Sequence, residues 1–190
     1  LRKVSRRTWR FFERYVAAAD HWLPPDNFQE QPAAVVAHRT SPTNIGLALL
    51  ANLAAHDFGY ASLATLIERT RLTLATLQGL ERFRGHFYNW YDTQSLQPLH
   101  PAYISTVDSG NLAGHLLTLR QGLLALLDEP VLARATFTGL VDTLGVLEET
   151  QAGVVDVAFD AAMADFRQHL DAVNLRPPMS LHGAAGVLSL

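Results

Sequence analysis

Residues 39–60, RTSPTNIGLALLANLAAHDFGY, decide how this chain folds. From Thr40 to His56 it runs 17 residues without Asp, Glu, Lys or Arg, the longest such run in the chain. Pro42, Asn44 and Asn52 fall inside it, so it reads as a buried helix rather than a membrane span. Its start is spelled out. Ser41 offers a hydroxyl suited to an N-cap, and Pro42 suits the first helical position, where no N–H is needed. Gly59 supplies the stop, because the residue after a helix end often turns left-handed. The segment therefore predicts a helix over 43–57.

Outward from that helix, apolar residues keep recurring at helical spacing. Leu63, Leu66, Ile67, Leu74 and Leu77 predict a helix over 62–83. Leu112, Leu116, Leu119, Leu123 and Leu127 predict another over 109–128, capped by Asp108 or Ser109. Phe159, Met163, Phe166, Leu170 and Val173 mark one at 156–173, and further helices fall at 5–19 and 131–149. The class is all-α with about seven helices. Composition agrees: 48% hydrophobic and only 17% charged residues over 190 positions fit a sizeable core and exclude a disordered chain.

Several functions are excluded at this level. Without cysteine there is no disulfide scaffold, thiolate metal site or cysteine nucleophile. A net charge of −3 gives no field for nucleic acid. His21, His38, His86, His100 and His115 lack metal-ligand spacing, so no metal is expected. Ser41, Ser105 and Ser109 lack a nucleophile-elbow context, and no glycine-rich phosphate loop is present. The first 14 residues hold six basic groups and net +5, leaving −8 for the rest. That basic face suits either solvent or contact with a membrane surface or another part of a longer protein. No apolar stretch follows it, so it is not a signal peptide. The chain opens on Leu1 rather than Met and is expected to be a soluble piece of something longer.

Two segments break the helical rule, 20–42 and 84–108. The second is too aromatic for a surface connector, and short strands are expected around Phe87–Trp90 and Tyr103–Val107. Phe83, Phe87, Tyr88, Trp90, Tyr91 and Tyr103 stand there beside Asn89, Asp92, His86, His100 and Asp108. Flat rings next to amides and carboxylates are what a sugar site needs. The ring takes the C–H face of a pyranose, and the polar groups take its hydroxyls. Trp22, Trp90 and Tyr91 are the candidate stacking rings. Asp26, Asn27, Arg39, Asn89, Asp92, Asp108 and Asn111 are the candidate hydroxyl binders. Each has a structural role beside the functional one: Asp108 as a cap, Asp92 as a turn former, Arg39 as a partner for Asp26.

The strings WRFFERYV (9–16), DHWLPPDNFQE (20–30), VVAHRTSPTNIGLALLANLAAHDFGY (35–60) and LERFRGHFYNWYDTQSLQPLHPAYISTVDSGNLAGHLLTL (80–119) closely resemble bacterial cyclic β-1,2-glucan synthases. The resemblance covers roughly residues 5–127 and points to their glycoamylase-like, ring-closing domain. It implies an incomplete (α/α)6 barrel, with residues 1–190 as its N-terminal half. It also implies one wall of a cleft for intramolecular glucosyl transfer of linear β-1,2-glucan, at the cytoplasmic side of the bacterial inner membrane. Catalytic carboxylates are then expected beyond Leu190. Only Glu30 stands in either long loop as a glutamate, so the isolated chain is expected to be inactive and to need no cofactor. The implied partners are a β-1,2-glucan oligosaccharide, the parent's other domains and a second copy across the open half-barrel face. A non-catalytic docking module, or part of a related glycoside hydrolase, remains as the alternative.

Overall fold

The structure is a computed structural model that describes residues 1–130, 133–151, 157–176, 178, 180, 183, 185 and 186. It is mostly helical. Against the about seven helices expected, six have bounds among the described residues, with 183, 185 and 186 helical as well: α1 (Arg2–Tyr15), α2 (Pro42–Asp57), α3 (Leu63–Gly79), α4 (Thr106–Ala125), α5 (Arg134–Gln151) and α6 (Val157–Leu175). Positions 131, 132 and 156 of the expected last two helices lie outside the described residues. Three two-stranded antiparallel ribbons punctuate the loops. β1 (Phe28–Gln29) pairs with β2 (Val35–Val36), β3 (Arg39–Thr40) with β6 (Tyr91–Asp92), and β4 (Arg82–Phe83) with β5 (His86–Phe87).

α2 starts as its sequence dictates. Ser41 Oγ accepts from the Asn44 N–H at 3.2 Å, and Pro42 opens the first turn. Gly59 follows the helix at φ +79°, where a Cβ would collide with the Ala135 carbonyl of α5. The charge-free run is the core. Ile45 and Leu49 are fully buried against Leu23, Leu77, Tyr91 and Leu119. Burial of each such side chain contributes roughly 1.5–3 kcal/mol.

α2 and α4 pack closely because small residues let them. A Cβ on Gly46 would lie 2.3 Å from His115 Nδ1, and one on Gly122 would lie 2.2 Å from Leu53 Cδ2. The paired positions advance in step: 43 with 111, 46 with 115, 53 with 122. The two helices therefore run parallel, with their N-termini side by side.

Three expected boundaries move. α4 begins at Thr106, so no strand forms over Tyr103–Val107. The reason is that Ser105, not Asp108 or Ser109, is the N-cap; its Oγ accepts from the Asp108 N–H at 3.1 Å. α3 stops at Gly79 rather than 83, and the freed residues Arg82–Phe83 turn into a hairpin strand. α1 stops at Tyr15 rather than 19, and a 3-10 turn at Ala18–Asp20 follows.

Much of the basic face of α1 is spent inside the chain. Arg2 meets Asp142 at 2.7 Å, Lys3 and Arg7 both reach Glu149, and Arg6 Nε donates to Thr143. It packs on the acidic side of α5 instead of lying wholly in solvent. Among the described residues, no helix is long and apolar enough to cross a membrane.

Candidate functional site

The side-by-side N-termini of α2 and α4 gather the polar half of the expected site. Asp108 lies in the first turn of α4 and aims its carboxylate at the gap between the two helices. It is hydrogen-bonded by the hydroxyls of Ser105, Thr43 and Ser41 and by the backbone N–H of Thr43. A helix leaves its first N–H groups without internal partners. Asp108 thus satisfies a donor at the start of the neighbouring helix as well as groups of its own. Burial pushes its carboxyl upward, but the donors from Ser105, Thr43 and Ser41 outweigh that and hold it below the usual carboxylate value.

Asn89 is the hub beside it. The amide orientation that satisfies every neighbour has Nδ2 donating to Asp108 Oδ2 at 2.8 Å, while Oδ1 accepts from Tyr103 O–H at 2.8 Å and Trp90 Nε1–H at 2.9 Å. The Asn89 backbone N–H also donates to the Tyr103 carbonyl. Over the Trp90 ring lies the Arg39 guanidinium, 5.1 Å from the ring centre. Asp26 holds that guanidinium through Nε at 3.1 Å and Nη2 at 2.9 Å. Asn27 and Asn44 donate to the same Asp26 carboxylate, and Asn111 Nδ2 donates to Thr43 Oγ1. Asp26, Asn27, Arg39, Asn89, Trp90, Asp108 and Asn111 therefore form linked networks on one surface.

Tyr91 and Trp22 sit away from this surface, while Asp92 stands opposite Arg39 in the β3–β6 ribbon with one carboxylate oxygen taken up by its own loop. Tyr91 is 0% exposed, a core residue whose O–H donates to the Glu81 carbonyl and accepts from the Tyr88 N–H. Burial drives its phenol up to about 12. No face of that ring is free to stack on a sugar. Asp92 turns inward on its own loop: Oδ1 accepts from the N–H groups of Gln94 and Ser95 and from the Ser95 hydroxyl. The Ser95 and Gln94 donors lower its carboxyl, which makes it a turn former. Trp22, at φ +62°, packs against Arg69 of α3 at 5.6 Å and gives its carbonyl to Thr73. Its neighbours differ from those of Trp90 throughout.

Sequence reading passed over Tyr103 as a site residue, and Thr43 and Ser105 as its supports. The pattern Ser105-x-x-Asp108 is a capping-box spacing and was the available signal for Ser105. It also passed over Asp20, which is buried and takes hydrogen bonds from His38 Nδ1 and the Thr93 hydroxyl beneath the β3–β6 ribbon. Among the described residues, no cluster of three or more His, Cys, Asp or Glu side chains is arranged to hold a metal ion.

Asp26, Asp92 and Asp108 already accept several hydrogen bonds each. A carboxylate so engaged, and lowered in the case of Asp92 and Asp108, is a poor proton donor and a weak nucleophile. What the surface offers is fixed rings, amides and an exposed guanidinium.

This defines the class as an all-α chain that carries an aromatic–amide–carboxylate surface where two parallel helices begin. Over 150 residues, 78% of its length, the chain is 45% identical to the cyclic beta-(1,2)-glucan synthase NdvB of Rhizobium meliloti (strain 1021). The chain spans 5% of the length of that relative. The resemblance read from the sequence is thus borne out: the chain is similar to a segment of a cyclic β-1,2-glucan synthase. No family model matches it.

Proposed function

We propose that this chain is the opening part of the ring-closing domain of a cyclic β-1,2-glucan synthase and forms one wall of its sugar cleft. The observation that carries the reading is the network joining Trp90, Asn89 and Asp108 at the two helix N-termini, in a chain 45% identical to such a synthase. In this reading α2 and α4 are inner helices of an (α/α)6 barrel, with α3 returning between them. Trp90 stacks on a glucose ring while Arg39, Asn27 and Asn111 take hydroxyls. The carboxylates that break and remake the glycosidic bond come from elsewhere in the parent, which works at the cytoplasmic side of the inner membrane. Retaining transfer needs a nucleophile and an acid/base about 5–5.5 Å apart. The donor-laden state of Asp26, Asp92 and Asp108 argues against any of them filling either role. The substrate is linear β-1,2-glucan.

The test is calorimetric titration of the chain with linear β-1,2-glucan oligosaccharides, alongside product analysis after incubation. Saturable binding without cyclic product or reducing-end release is expected. Absence of binding would overturn the cleft-wall reading, and turnover by the chain alone would overturn the assignment of catalysis to other residues.

A second reading has its own support. α4 and the 3-10 turn that follows it at Leu126–Asp128 expose Val107, Leu117 and Leu127, the last two at 67% and 79%. Beside them runs an apolar groove of about 360 Å3 between α3 and α4, walled by Leu74, Leu116, Leu119, Leu123, Leu124 and Leu127. Exposed apolar area of this kind suits docking against the parent's other domains or against a second copy. Sedimentation at micromolar concentration is expected to show a dimer or larger species. A clean monomer would remove the second-copy form of this reading.

A further inference from the structure

Building on the cleft-wall reading, we propose that Tyr103 is a second stacking residue, paired with Trp90 as one platform for two consecutive sugar units. The case begins with an oddity of exposure. Tyr103 is 48% exposed, yet its hydroxyl does not point to water; it donates to the side chain of Asn89, a residue only 5% exposed. The same Asn89 oxygen accepts the indole N–H of Trp90. An amide oxygen has two lone pairs, and here each holds one ring. The two polar tips therefore lie within about 6 Å of each other.

Asn89 is itself immobilised. Its Nδ2 donates to Asp108, and its backbone N–H donates to the Tyr103 carbonyl at 2.8 Å, so Tyr103 is tied at both backbone and ring. With its hydroxyl engaged by Asn89, Tyr103 is still 48% exposed, and Trp90 stands half-buried beside it with the Arg39 guanidinium over its ring. Apolar ring surface flanked by hydrogen-bonding groups complements the C–H face of a pyranose. Rings that are already fixed lose little conformational freedom when a ligand arrives. A tyrosine serving only the core would have its ring covered, as Tyr91 does.

The experiment titrates the chain with glucose and with the β-1,2-linked glucose disaccharide, and follows the aromatic resonances by NMR. Wild type is expected to prefer the disaccharide, with shifts at the Tyr103 ring on its addition. Tyr103→Ala is expected to lose roughly three- to tenfold in disaccharide affinity, a larger loss than it shows for glucose. Tyr103→Phe keeps the ring and is expected to retain most of the preference. If Tyr103→Ala binds the disaccharide like wild type, or if the wild-type Tyr103 ring does not shift, the paired platform is wrong while Trp90 and the cleft wall stand. If wild type binds neither sugar nor longer glucan, the cleft-wall reading falls and this inference falls with it.

Discussion

Trp22 and Trp90 look alike in the sequence, and the fold gives them opposite work. Each has an arginine over its ring: Arg69 for Trp22 at 5.6 Å, Arg39 for Trp90 at 5.1 Å. Each arginine has a carboxamide nearby. Around Trp22, however, the arginine braces helices. Arg69 Nη2 donates to the Phe12 carbonyl at the end of α1, Nε donates to Asn52 of α2, and the Trp9 indole closes the other side at 5.1 Å. Burial lowers the guanidinium pKa, and no carboxylate binds it directly among the described residues. A helix C-terminus, with its partial negative charge, stands in for one. Around Trp90 the arginine is half in water, held by Asp26, and its surroundings are open. The same residue types make a brace where they are enclosed and, in the function proposed, a sugar-binding surface where they are not. What separates the two is the company of a helix end in one case and of exposed carboxylates and amides in the other.

The comparison can be broken most sharply at Arg69. Arg69→Ala is expected to cost about 3 kcal/mol, since it removes two charge-assisted hydrogen bonds and leaves two indoles without their cation. Urea unfolding followed by circular dichroism would measure it. A loss under about 1 kcal/mol would mean that the enclosed cluster braces nothing. Asp108→Asn tests the joint of the two helices and is expected to cost about 2 kcal/mol, because an amide puts donors where hydroxyls and an N–H already donate. Its pH signature follows from the sign of the shift. The folded carboxyl lies below its ordinary value, so its stabilisation is complete above about pH 4 and is lost as pH falls through the depressed folded value. The Asn variant should lose stability less steeply than wild type in that acid range; equal slopes would show that Asp108 contributes no linkage.

Tyr91→Phe separates core from site within a single pair of neighbours. About 1–2 kcal/mol of stability should go, because the Glu81 carbonyl and Tyr88 N–H lose their partner, while glucan affinity stays unchanged. A fall in affinity at constant stability would return Tyr91 to the site. The smallest effect on folding is expected at Arg39→Ala, below about 1 kcal/mol for a half-exposed pair, with weaker glucan binding as its main consequence. Thermal unfolding and calorimetry on the one variant would show whether those two readouts part company.

Much of the helical frame was legible because its signals are local. Ser41, Pro42 and Gly59 state where α2 starts and stops, and the leucine spacing of α3 and α4 survives in the structure. The site was legible in composition but not in arrangement. Side chains of adjacent residues in an extended segment point to opposite faces, so Trp90 and Tyr91 were never both available to one surface. That argument was open to a sequence reading. The role of Arg69 was not: nothing local marks a mid-helix arginine as the cap of a helix more than 50 residues earlier. The surroundings of Trp22 were hidden for the same reason, because Arg69 of α3 reaches its ring from outside its own loop.

The parallel, in-step pairing of α2 and α4 also fixes a timetable. Thr43 and Asn111, which touch, stand 68 positions apart. At a synthesis rate of about 5–20 residues per second, α2 waits roughly 3–14 s before its partner is made. Through that interval Ile45 and Leu49 have no α4 to cover them, and the groove at Gly46 is open to whatever apolar segment passes. The wall that would receive a sugar thus cannot assemble until α4 is made, and the helix kept waiting is the one that carries the chain's longest charge-free run.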